Sequence, residues 1–410
     1  MRLFWAAASW LALAAPAAAL EISPLYRLQV LGGQYFFAGD KASLSGNASG
    51  LAAPALKFDE AWALLPALQA SYQGTKQVKD LTGAGTMFQE QMDYRASARL
   101  VWAPEGTRWR FKPAFSYKYE LLKETKDESW GSGLFDYQKW SFGLETEYLW
   151  QEPFSWRFGV DYYEVAFPNY ISLESQAARR FPGQSLAREL AGDRVLDTQN
   201  LSVATAFDAP VHERLVLDSR LQATYQRYPK QRVVAASGEL TAAARQDVLA
   251  AASLSARMPH ELNRDLRLLG SLDLALAYNS SNQNDYDAAN TRYSSFYYNY
   301  GELRIGPALR LQAGLQGPAS RPVVLGVSGS WWQRRYPYRT AQDASGRYVY
   351  GGLRASGWMT QTSLEYPMAK RFSLTFEAQY GQAASNHKFE QFYRYNYTVA
   401  NYLFGLTYEY

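Results

Sequence analysis

The chain has 410 residues, with 42 Lys+Arg against 38 Asp+Glu and a formal net charge of +4, too mild a balance for a nucleic-acid-binding charge field. It has no cysteine, which excludes a disulfide scaffold, a thiolate metal site and a lipidated N-terminal cysteine. The excess is aromatic, at 31 Tyr, 20 Phe and 12 Trp, while three histidines leave little material for a metal centre.

Residues 1–19 read as an export signal. Met1-Arg2 is a positive start, residues 3–15 are apolar, and Ala17-Ala18-Ala19 offers a small-residue cleavage pattern. That run is too short to span a bilayer as a helix, and no later window is apolar for about 18 residues. Residues 20–410 are then expected to form a single exported domain.

From residue 26 onward, apolar and polar residues alternate with period two, which puts each set on one face of a strand. Residues 26–38 and 42–52 pair as a hairpin turning at Gly39-Asp40, and 61–73 follows. In the next strand Met92, Tyr94, Ala96, Ala98, Leu100 and Trp102 oppose Asp93, Arg95, Ser97 and Arg99. Trp109, Phe111, Pro113, Phe115 and Tyr117 then oppose Arg108, Arg110, Lys112, Ser116 and Lys118. The pattern returns through Trp140–Trp150, Phe154–Tyr162, Leu215–Tyr225, Leu266–Tyr278, Leu303–Leu309, Trp358–Tyr366 and Phe372–Tyr380. Segments of roughly 12–16 residues exceed ordinary soluble strands. Short connections such as 103–106, 151–153 and 367–371 alternate with long ones near 74–90, 122–135, 165–195, 229–245, 279–294, 335–352 and 382–395. This predicts an all-β, antiparallel up-and-down transmembrane barrel of about 16 strands, with 14 or 18 open because 42–52, 246–258 and 322–333 are weak.

The rings follow the same plan. Trp102 and Trp109 flank one short connection, and Trp150 and Trp156 another, as one aromatic girdle. Trp331 and Trp332 are expected in the other girdle, at the long-loop end. The opposite parity would line the lumen with Arg95, Arg99, Arg108, Arg110, Lys112, Lys118, Glu145, Glu147, Arg157 and Asp161. Charges there require water or cross-strand pairing. Two readings stay open: a channel wall that orients polar or anionic solutes, and an ion-pair lattice that only stiffens the wall. Loops 165–195 and 122–135 are the candidates for a constriction.

No phosphate-cradling loop, zinc spacing or nucleophile elbow appears, so neither a catalytic residue nor a metal or cofactor is expected. His212 and His260 fall in short turns, and His387 lies in a long loop without a recognisable catalytic partner motif.

The chain ends Tyr402-Leu403-Phe404-Gly405-Leu406-Thr407-Tyr408-Glu409-Tyr410. Gly405, Tyr408 and the terminal aromatic Tyr410 resemble the assembly signal of Gram-negative, porin-like outer-membrane β-barrel proteins, with Leu403 where a polar residue is usual. The resemblance implies an outer-membrane location, lipid and the barrel-assembly machinery as partners, and small solutes as cargo. No nucleic-acid partner is expected, and the oligomeric state is left open. The function expected is passive, porin-like transport of small polar or ionic solutes. An export conduit or structural barrel working with periplasmic partners, and an outer-membrane lipid or peptide hydrolase, are the alternatives.

Overall fold

A computed structural model describes residues 20–410 except 82, 84, 173–187, 315–320 and 391–392. The expected signal at 1–19 lies outside the described residues. Sixteen antiparallel strands form one closed barrel. In chain order they are β1 (Tyr26–Phe37), β2 (Ser43–Ala52), β3 (Trp62–Gln73), β4 (Glu90–Trp102), β5 (Trp109–Lys123), β6 (Tyr137–Gln151), β7 (Phe154–Ala166) and β8 (Thr198–His212). The ring continues with β9 (Leu215–Val234), β10 (Leu240–Asn263), β11 (Leu266–Ser281), β12 (Tyr300–Ala313), β13 (Val323–Gln342), β14 (Tyr348–Pro367), β15 (Phe372–Ser385) and β16 (Tyr397–Glu409). Each pairs with its sequence neighbours, and β1 pairs with β16 from Arg27↔Glu409 to Phe37↔Val399. Closure leaves no unpaired edge, which is what a sheet in lipid requires.

The weak strands at 42–52, 246–258 and 322–333 are all present, so the expected count of sixteen holds. Two of the expected long loops are different. Residues 229–245 and 335–352 are mostly strand: β9 and β10 run on together to 234 and 240, and β13 and β14 to 342 and 348. Register shifts at Tyr228/Arg232 and Tyr336/Thr340 break the period-two signal there. A bulge moves every following side chain to the opposite parity. The first hairpin also turns one residue earlier than expected. Phe37 C=O accepts from Asp40 N–H at 2.8 Å, and Ala38 and Gly39 both take positive φ, +49° and +85°, as a type I′ turn demands.

The closing seam needs glycine. A Cβ on Gly405 would stand 1.8 Å from the Val30 carbonyl oxygen, and one on Gly33 would stand 1.9 Å from that of Tyr402. Tyr410 exchanges both backbone hydrogen bonds with Tyr26 at 2.9 and 3.0 Å, so the terminal aromatic is tied into the rim. Leu403, the departure from the usual signal, is buried.

Buried apolar groups gather under the long loops. Phe88, Leu122, Phe135, Phe167, Tyr170 and Leu190 pack in one cluster, and Tyr336, Leu353 and Tyr395 in another. The outer wall is the reverse: Leu28, Val30, Phe142, Leu276, Leu309 and Phe404 are each more than half exposed.

Candidate functional site: the lumen and its mouth

Alternation sorts the strands into an apolar outside and a polar inside, which carries charge on most strands but not on β2 or β3. On the outside, rings cluster at the short-turn end. Trp62 stacks on Trp102 at 5.5 Å, Trp102 meets Phe111 at 5.2 Å, and Trp109 meets Tyr148 at 5.0 Å. Trp150 stacks on Phe207 at 5.6 Å, and the Trp156 indole N–H donates to Thr205 Oγ1 at 2.8 Å. Trp331 is also on the outer wall, opposite Trp358. Trp332 is a correction to the expected girdle. As the next residue on the strand it points the other way, and it lines a cavity inside the barrel.

A continuous apolar surface of this extent would be untenable in water, and a closed barrel satisfies its backbone without water. The chain is a transmembrane β-barrel of the outer-membrane type. No family model matches it, and no curated protein sequence does. Solved structures similar to it include a bacterial polysaccharide outer membrane secretin, at TM-score 0.44 and 9% identity over 94% of this chain and 98% of that one. Outer-membrane expressed OmpT of Vibrio cholerae has TM-score 0.44 and 9% identity over 96% and 99%. OccD3 (OpdP) of Pseudomonas aeruginosa has TM-score 0.43 and 9% identity over 96% and 93%. Similarity at this level carries no information on solute or chemistry.

The lumen-facing residues expected from sequence divide into two groups. Lys112 pairs with Glu147 at 2.8 Å and Glu145 at 3.2 Å, and Arg110 reaches Glu147 at 3.7 Å. Lys118 pairs with Asp93 at 2.8 Å and also with Glu120. Arg157 pairs with Asp208 at 3.1 Å. Arg108 sits at the short-turn rim and donates to the Trp150 carbonyl at 3.3 Å. These form a cross-strand lattice. Arg95, Arg99 and Asp161 stand outside it, with no ion pair among the described residues.

The mouth at the long-loop end contains what sequence reasoning missed. Within the 74–90 connection, strands Gln77–Asp80 and Gly85–Phe88 form a hairpin that lies across the barrel. Lys79 pairs with Glu120 on β5, and the next residue, Asp80, pairs with Arg334 on β13. Those walls are eight places apart in a ring of sixteen. Gly83 C=O accepts from Tyr336 Oη at 2.8 Å and from Arg339 at 3.3 Å, and Gly85 C=O accepts from Arg394 N–H at 2.6 Å. Beside the hairpin is a cavity of about 240 Å³ lined by Asp80, Glu302, Arg304, Trp332, Arg334 and Tyr395, among others.

Guanidinium groups hold this layer together. Arg334 also pairs with Glu302 at 2.6 Å and lies 4.3 Å over Tyr300. Arg339 lies 4.5 Å over Tyr297 and donates to Tyr395 Oη. Arg245 is sandwiched by Tyr228 and Tyr298 at 4.3 and 4.1 Å and is bidentate to Asp247. Planar cations between rings keep their charge at modest desolvation cost.

Of the two loops expected to constrict, 122–135 packs through Leu122 and Phe135 against Phe88 of the hairpin and against Phe167, Tyr170 and Leu190 of the 165–195 connection, and residues 173–187 of the latter are outside the described residues. Its far end turns into the mouth: Glu189 is buried and accepts from Tyr298 Oη at 2.8 Å. Burial, then repulsion from Asp285, pushes the Glu189 carboxyl well above the usual range. His212 and His260 are exposed. His387 is buried in the mouth, its Nδ1 accepting from Gln342 N–H at 3.2 Å and its Nε2 donating to Phe389 C=O at 2.6 Å. Burial, reinforced by Arg339, pulls it down to about 4. The pair of backbone contacts makes it a loop clasp.

The sequence carries one faint signal of the bridge: the charged pair Lys79-Asp80 within the long 74–90 connection. Its partners are 41 and 254 residues away, which no local pattern reveals.

Proposed function

We propose that this barrel is a passive channel for small polar or ionic solutes across the outer membrane. The supporting observation is that Arg95, Arg99, Arg220 and Arg310 sit at inward positions of the strands, have no ion-pair partner among the described residues, and are nonetheless exposed. A charge in a dry interior would cost several kcal/mol or more without a partner; here water supplies the hydration. Sixteen strands leave room for such an aqueous path. The hairpin across the mouth divides that path, which favours small solutes over the wide bore a polymer conduit needs. His387 spends both ring nitrogens on backbone groups, Gln342 N–H and Phe389 C=O, which suits a structural role.

The test is planar-bilayer recording with purified, folded protein. Stepwise ionic conductance is expected. A folded sample that inserts but passes no current would overturn the channel reading.

A further inference from the structure

The channel reading says nothing of charge preference, and the expected basic wall turns out to be mostly spent. Lys112, Arg110, Lys118 and Arg157 are neutralised by the carboxylates described above, and Arg257, Arg321 and Arg27 by Asp218, Glu365 and Glu409. Among the inward cations without a carboxylate partner in the described residues, four belong together: Arg95 and Arg99 on β4, Lys139 on β6 and Arg220 on β9. They are not scattered. Asp161 lies within electrostatic reach of Arg220, Lys139 and Arg99, with Glu145 also near. Lys139 in turn feels Arg95 and Lys118, and its ammonium stands 3.9 Å over the Tyr163 ring. One stretch of wall therefore carries four free cations around one free carboxylate.

The track leads to a recess. Arg220 and Arg304 flank a hollow of about 130 Å³ floored by Ala251, Ser253, Ala275 and Ala277, with Gln222 on its rim. Glu302 also borders it, but its carboxylate is already engaged by Arg334 and Arg304. Small side chains between two guanidinium groups leave space for an oxyanion to be held by planar N–H forks.

Resting on the channel reading, we infer that the solute is a small organic oxyanion, drawn along Arg95, Arg99 and Lys139 and bound transiently between Arg220 and Arg304. Positive walls concentrate anions in a narrow aqueous path. Carboxylate and phosphate share the required chemistry.

The test is the reversal potential in a KCl gradient, repeated with potassium acetate, gluconate and phosphate. Native protein should prefer anions. The triple variant Arg95→Gln, Arg99→Gln, Arg220→Gln should lower the anion-to-cation permeability ratio about fivefold or more. The pair-removing variant Arg110→Gln with Glu147→Gln, which leaves the net charge unchanged, should stay within about twofold of native. Native selectivity should also fall between 0.1 M and 1 M salt, because the screening length shortens from about 10 Å to about 3 Å. Acetate and gluconate outpermeating phosphate assigns carboxylates, and the reverse order assigns phosphates. Conductance without anion preference, or a triple variant as selective as native, overturns the inference and leaves the channel standing. An absence of current overturns both.

Discussion

Replacing Asp80 by alanine cuts one end of the bridge across the mouth while leaving the wall intact. Arg334 keeps its 2.6 Å contact with Glu302 and its seat over Tyr300, so no buried charge is stranded. The loss is one charge-assisted contact, about 1.5–3 kcal/mol in general. The Asp80 side chain is one-third exposed, which places the value at the lower end, about 1.5 kcal/mol, through solvent screening. That corresponds to roughly a tenfold rise in the undocked population. Lys79, Gly83 and Gly85 still anchor the hairpin, so it should loosen rather than leave. Hydrogen exchange in folded protein reads this directly: amides in 77–88 should exchange about tenfold faster, with those of β14 and β15 unchanged. Single-channel recordings should show longer or larger openings. Unaltered hairpin exchange, or equal acceleration around the whole barrel, would refute the assignment of Asp80 as a tether.

Lys112→Met leaves Glu147, itself buried, with Arg110 at 3.7 Å as its remaining ion-pair partner and the Ser155 hydroxyl beside it. A loss on the order of 1–3 kcal/mol is expected in denaturant unfolding from micelles, largely restored by adding Glu147→Met; a variant as stable as native would show the lattice to be inert. Gly405→Ala drives a methyl group into the Val30 carbonyl, and the compact, heat-modifiable gel species should be lost. Recovery of native amounts of that species would contradict the steric reading. His387 has a folded-state pKa below its usual 6.5, at about 4. The neutral clasp therefore contributes fully above pH 6.5, and that contribution is lost as pH falls through about 4. Exchange in residues 386–396 should speed up over that interval, and a loop indifferent to it would dismiss the clasp.

Strand count, closure, the short-turn aromatic belt and the inward charges were legible because each rests on a period of two that reports one face at a time. The glycine at 405 was legible as a motif, whereas its reason, a close approach of β1 to β16, belongs to the folded seam. The reading failed where local pattern and tertiary contact part company. Bulges in β9 and β13 reversed the parity and made strands look like loops. The neighbours Trp331 and Trp332 form one aromatic pair in sequence, yet consecutive residues of β13 face opposite sides of the wall. The wall's charges were visible, but which cations remain free depends on pairing across registers such as Glu147↔Arg110. Inward folding of 77–88 depends on Glu120 and Arg334, from opposite sides of the ring.

Lys79 and Asp80 also have a mechanical role. A cylinder of hydrogen-bonded strands is stiff along its length but ovalises easily, and two adjacent residues gripping opposite walls act as a tie-rod against that flattening. Lateral pressure from the surrounding bilayer would load this rod before it strained the sheet. Loosening the rod would therefore also let the rim change shape, so the seat of the hairpin and the roundness of the barrel share the same ion pairs, with the backbone contacts at Gly83 and Gly85 beside them.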